Sequence, residues 1–113
     1  MKSRKELKAL YKQMKTPMGV FRIRNLSTNR ILIDYSTDMP SKWNRHRTEL
    51  RFGGHRNRAL QKDWNDLGED NFVFEVLSEL EHTDDPVNDY TKELKTLLEM
   101  VLEALELPES GRY

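Results

Sequence analysis

Residues 18–36 read MGVFRIRNLSTNRILIDYS, and this stretch narrows what the chain can fold into more than any other. Two runs, Val20-Phe21-Arg22-Ile23-Arg24 and Ile31-Leu32-Ile33-Asp34-Tyr35, are rich in β-branched and aromatic residues, as strands are. Ser27-Thr28-Asn29 between them is turn chemistry, so an antiparallel hairpin over 19–25 and 30–36 is the economical assignment. Period two puts Phe21 and Ile23 on one face of the first strand and Val20, Arg22 and Arg24 on the other.

The rest of the pattern is mostly helical. Ser3 and Glu6 form a capping-box pattern ahead of Leu7, Leu10, Tyr11 and Met14, which predicts an amphipathic helix ended by Thr16-Pro17. A second helix starts near Asp38 with Pro40 in its first turn. It passes Trp43, His46, Arg47 and Leu50 to Phe52 and stops at Gly53-Gly54. A third begins around Asn57, turns Leu60, Trp64 and Leu67 inward and ends at Gly68. Residues 71–77 form a strand by composition. Asp85-Pro86 opens the longest helix, over 86–106. Its stripe of Tyr90, Leu94, Leu97, Leu98, Val101, Leu102 and Leu105 predicts the main core partner of the sheet. The order implies an α+β fold: a small three-stranded antiparallel sheet flanked by helices, with an extra N-terminal helix. The divisions are an N-terminal amphipathic helix over 1–17, one domain over 18–107 and a flexible tail over 108–113.

A chain of 113 residues builds one core without staples. The absence of cysteine excludes disulfides, thiol catalysis and cysteine-ligated zinc, and it suits a cytoplasmic protein. No apolar run reaches the eighteen or so residues of a membrane span, and the start carries no signal-peptide stretch. The lysine-rich first helix imitates an organelle transit peptide, but its apolar positions read better as a docking face. The zero net charge hides a split. Residues 1–62 hold sixteen Lys and Arg against four Asp and Glu, and residues 63–113 hold three against fifteen. Either the halves cancel in space, or the first presents a basic face to a polyanion.

Lys42, Arg45, Arg47, Arg51, Arg56, Arg58 and Lys62 crowd into one window with His46 and His55. Beside the bland reading of a solvated face stands phosphate binding. Gly53-Gly54 frees backbone amides for close approach, Asn57 marks the positive end of a helix, and His55 donates or carries a proton near neutral pH. Trp43 and Trp64 sit at core spacing. No base-reading motif stands out, so DNA binding would be directed to structure or backbone and steep in salt.

These elements and their punctuation resemble the GIY-YIG nuclease superfamily. Gly19-Val20-Phe21 stands where Gly-Ile-Tyr would be, and Leu32-Ile33-Asp34 where Tyr-Ile-Gly would be. Trp43, Arg45-His46, His55, Leu60-Gln61, Trp64-Asn65, Gly68 and the 72–77 strand follow in family order. The resemblance implies a metal-dependent endonuclease acting on DNA with one Mg2+ or Mn2+ ion. Its catalytic positions fall on Phe21, Leu32, Lys42, Arg45 and His55, and Glu99 is the nearest candidate for the metal carboxylate. The departures weigh against cutting. Phe21 and Leu32 replace tyrosines and handle no proton. Lys42 lacks the bidentate fork of arginine, and Asp34 puts a carboxylate where the motif has glycine. Three readings follow: a remodelled slow endonuclease, an inactive DNA-binding module, or a charge-driven protein-interaction domain.

Overall fold

In the computed structural model the described residues are 17–81, 90–106 and 111–113. The helix expected over 1–17 and the first turn of the helix expected over 86–106 lie outside them. Strand β1 (Met18–Asn25) is central in an antiparallel sheet, with β2 (Ile31–Ser36) on one side and β3 (Phe72–Leu80) on the other. Helices α1 (Met39–Arg51) and α2 (Arg58–Leu67) follow the hairpin. A 3-10 turn at Glu69–Asn71 leads into β3, and α3 (Thr91–Leu105) follows. This is the expected α+β architecture.

The hairpin closes through a buried asparagine. The Asn25 side chain accepts from the Ser27 and Thr28 amides at 2.9 and 3.2 Å, while Asn29 takes a left-handed φ of 62° that asparagine tolerates. In the resulting register Phe21 faces Asp34, Ile23 faces Leu32 and Val20 faces Tyr35. Directly opposed residues share a face. Leu32 and Asp34 therefore stand with Phe21 and Ile23, and Tyr35 is turned to the other side.

Both helices on that side begin on a side-chain cap. Asp38 accepts from the Ser41 amide at 3.2 Å and Asn57 from the Leu60 amide at 3.1 Å. Helix α1 ends in a Schellman closure: the Gly53 amide bonds Leu50 O at 3.2 Å and the Gly54 amide bonds Glu49 O at 2.9 Å, with Gly53 at a φ of 77°. The reading of these glycines as free amides for phosphate is corrected here, since both N–H groups are consumed by the helix end.

The buried cluster joins Phe21 and Ile23 to Met39, Leu50, Leu60, Trp64 and Phe72. Burying each such large side chain stabilises by about 1.5–3 kcal/mol. Helices α1 and α2 thus supply the core on the Phe21 face. Helix α3 touches all three strands, yet Leu94 is its one fully buried residue. Val20, on the face opposite Phe21, is also buried. Among the described residues the last helix is, as expected, the one that packs most widely on the sheet, although only Leu94 sinks fully into it. A stripe of helical period says which side of a helix is apolar, not how deeply it sinks.

The end of the supposed flexible tail is docked. Arg112 bridges Ile31 in parallel, and the Tyr113 amide donates to Ile31 O at 2.9 Å. The Tyr113 hydroxyl donates to Asp63 at 2.6 Å and accepts from Asn25 at 2.9 Å, with the Arg30 guanidinium 4.4 Å from the ring centre. Burial, with the Asp63 carboxylate beside it, pushes the phenol up to about 12. A ring and a hydroxyl with ready partners hold this segment where composition alone suggests nothing. Among the described residues no helix is long and apolar enough to cross a membrane.

Candidate nucleic-acid interface

Strand β2, helix α1 and the loop between α1 and α2 meet at a cleft of about 370 Å3. Leu32, Ile33 and Asp34 line it from the strand, Lys42 and His46 from α1, and His55, Arg56 and Asn57 from the loop. Lys42 and His46 are four residues apart and share one side of their helix. Phe21 lies beneath, fully buried, with its ring edge-on to His46 at 6.1 Å.

A chain of hydrogen bonds organises the cleft. His46 Nε2 is 2.9 Å from Asp34 Oδ2, and His46 Nδ1 is 2.8 Å from His55 Nε2. The Asn57 amide lies 3.0 Å from His55 Nδ1. The backbone amide is a fixed donor, so His55 Nδ1 is the acceptor, and the remaining roles follow. His55 Nε2–H donates to His46 Nδ1, and His46 Nε2–H donates to the Asp34 carboxylate. Both imidazoles are neutral in this arrangement and both nitrogens of each are used. Gln61 braces the loop, accepting from the His55 amide at 3.0 Å and donating to Leu50 O at 2.9 Å.

Burial by itself raises the Asp34 carboxyl. The His46 hydrogen bond, the Tyr35 amide and the Lys42 ammonium 3.8 Å away outweigh it and hold the group below its usual value. His55 is lowered, first by burial and then by the neighbouring His46 ring. With its folded pKa under the free value of 6.5, the unfolded chain takes up the proton first. The stability contributed by neutral His55 is therefore complete above that value and declines as pH falls through it. Thermal melts should show Tm falling below about pH 6.5. His55→Gln should remove part of that fall.

The basic window separates into unequal parts. Arg45 pairs with Glu49 at 3.3 Å, and Arg51 bonds Glu69 at 2.8 Å. Arg47 lies over the Trp43 ring at 5.5 Å and donates to Asn44. Lys42 leans toward Asp34. Arg56, Arg58 and Lys62 are exposed and make no ion pair among the described residues. Of the expected catalytic positions, Leu32, Lys42 and His55 line the cleft, Phe21 lies under it and Arg45 does not join the lining. Glu99 is exposed on α3 and is absent from the lining. Among the described residues no three His, Asp or Glu side chains group to hold a metal ion. The one carboxylate in the cleft, Asp34, is committed to His46, the Tyr35 amide and Lys42. This donor set does not fit a divalent cation, which asks for uncommitted oxygens.

The Asp34–His46 bond and the bracing by Gln61 were not read from sequence. A signal for the first was available: Asp34 faces Phe21 once the hairpin register is drawn, and His46 shares a helix side with Lys42.

No family model matches the chain. No curated protein matches it either. Solved structures do. One is the catalytic domain of the intron endonuclease I-TevI, in a variant with one glutamate replaced by alanine. It aligns with a TM-score of 0.70 at 20% identity, covering 87% of this chain and 92% of that one. A structure of the catalytic domain of the homing endonuclease I-TevI gives 0.68 at 21% identity, covering 85% and 95%. Sheet order, helix placement and these alignments agree: the chain has a GIY-YIG-like fold, that of the I-TevI catalytic domain.

Proposed function

We propose that this protein binds DNA through the phosphodiester backbone at the cleft and holds it without efficient cutting. The observation that carries the reading is the lining itself. Lys42 and Arg56 flank an opening whose imidazoles are neutral and saturated, so with Asp34 ionised the lining sums to one positive charge. Arg58 and Lys62 add exposed cations on α2, and Asn57 marks the positive end of that helix. The motif positions that would move protons are Phe21 and Leu32, and neither is able to. A cytoplasmic location, favoured by the cysteine-free composition, belongs to the same reading.

Binding of this kind loses affinity with salt at a slope of about 0.9 per neutralised phosphate. Arg56→Gln with Arg58→Gln should flatten the slope by about two and weaken all sequences alike. Arg45→Gln with Arg51→Gln, whose charges already face glutamates, should change it less. A salt titration by anisotropy reads both. Equal slopes for the two pairs would remove the cleft from the account. Concentration-dependent self-assembly without DNA affinity would select a charge-driven interaction domain instead.

The fold likeness to endonuclease catalytic domains favours a second reading, slow hydrolysis dependent on Mg2+ or Mn2+. Glu99 would then act as a ligand from outside the cleft lining. Nicking of plasmid DNA in either ion, lost in Glu99→Gln, would support it.

A further inference from the structure

Phe52 is the most exposed large hydrophobic residue described, at 86% of its surface. Its support is rigid. The Phe52 amide bonds Thr48 O at 3.1 Å, and the two following glycine amides bond Leu50 and Glu49. Space around the tip is open: a side chain at Gly53 or Gly54 would meet nothing within 4 Å. His55 in the cleft wall is three positions along from Phe52, a chain reach of at most about 11 Å. Arg56 and Arg58 follow, exposed and without ion pairs among the described residues.

A protein-docking anchor is normally ringed by apolar contacts that exclude water. The neighbours of Phe52 along the chain are Arg51, whose guanidinium is taken by Glu69, two glycines that leave room, and then His55 and the exposed Arg56 of the cleft wall, none of which supplies such a ring. An aromatic ring held open beside cations is the arrangement that stacks a nucleobase while the cations hold the strand. The other exposed hydrophobics, Leu26, Leu67, Val76 and Met100, are aliphatic and lack a stacking face.

We propose that Phe52 stacks on an unpaired base, so that the DNA preferred by this cleft is gapped or bulged next to the bound backbone. The proposal rests on the DNA-binding reading above and adds a substrate class to it. Stacking of this type corresponds to roughly a tenfold gain in affinity.

The test titrates the full chain into two duplexes of one sequence, intact or with a single bulged 2-aminopurine, at one salt concentration. The wild type should bind the bulged duplex about tenfold tighter and quench the 2-aminopurine. Phe52→Ala should lose the preference and the quenching while keeping its affinity for intact duplex, and Phe52→Trp should keep both. A preference unchanged in Phe52→Ala would overturn the stacking role. Binding of neither duplex by the wild type would overturn the DNA-binding reading itself, and the intact-duplex arm reports that separately. Circular dichroism of each variant shows that the exposed position leaves the fold intact.

Discussion

Alanine at position 19 is expected to leave little folded protein. A Cβ there would lie 2.0 Å from Ser78 O and 2.8 Å from the Glu79 Cα, both backbone atoms that no rotamer change moves aside. The approach is close because the β1–β3 ladder shifts register here, Val20 opposing Ser78 and Phe21 opposing Val76. Relief would require the central strand to lift from β3, with the Phe21 and Val20 contacts that depend on it. Such a clash should cost about 4 kcal/mol or more, against a total stability of about 5–15 kcal/mol for a domain of this size. Gly53→Ala is the comparison. That site has a left-handed φ but open space, so the loss should be about 1 kcal/mol. Urea unfolding of the two variants measures the contrast. A Gly19→Ala midpoint close to wild type would mean that the strands do not pack as described.

His46→Ala should be the most damaging single change in the cleft. It removes the middle of the relay, strands the His55 Nε2–H in a poorly hydrated place and leaves Asp34 Oδ2 with only the Lys42 ammonium 3.8 Å away. An orphaned buried polar group costs about 1–3 kcal/mol, and Asp34 is partly open to water, so a total near 3 kcal/mol is expected. Asp34→Ala alone should cost less. The pair should be strongly non-additive, because the second change removes a group the first has already stranded. A double-mutant cycle reads this directly. Additive losses would mean that the two side chains do not interact.

The hairpin was legible because alternation and turn residues are local signals, and the register then follows from pairing. The boundaries of α1 and α2 were legible for the same reason: Asp38, Asn57, Gly53 and Gly68 act within one turn of where they stand. What stayed hidden depends on contacts between distant segments. His46 is ambiguous as a lone helical histidine; its meeting with Asp34, twelve residues earlier on a strand, and with His55 in the following loop fixes its tautomer. The seven cations look equivalent in sequence, yet Glu49 and Glu69 engage two of them and Trp43 covers a third. Glycine amides read as available were taken by the helix end. Tyr113 reads as part of a tail, and its partners Asn25, Asp63 and Ile31 lie fifty residues or more away.

The proposed function requires the cleft to grip the DNA backbone while its proton-handling positions are apolar and its imidazoles are internally saturated. The direct measurement is a single-turnover assay with DNA fully bound by excess protein, in Mg2+ and in Mn2+, sampled for both complex and strand breaks. Retarded complex with intact strands throughout is the expected result. Nicks that accumulate in the bound DNA and disappear in His55→Gln would contradict it.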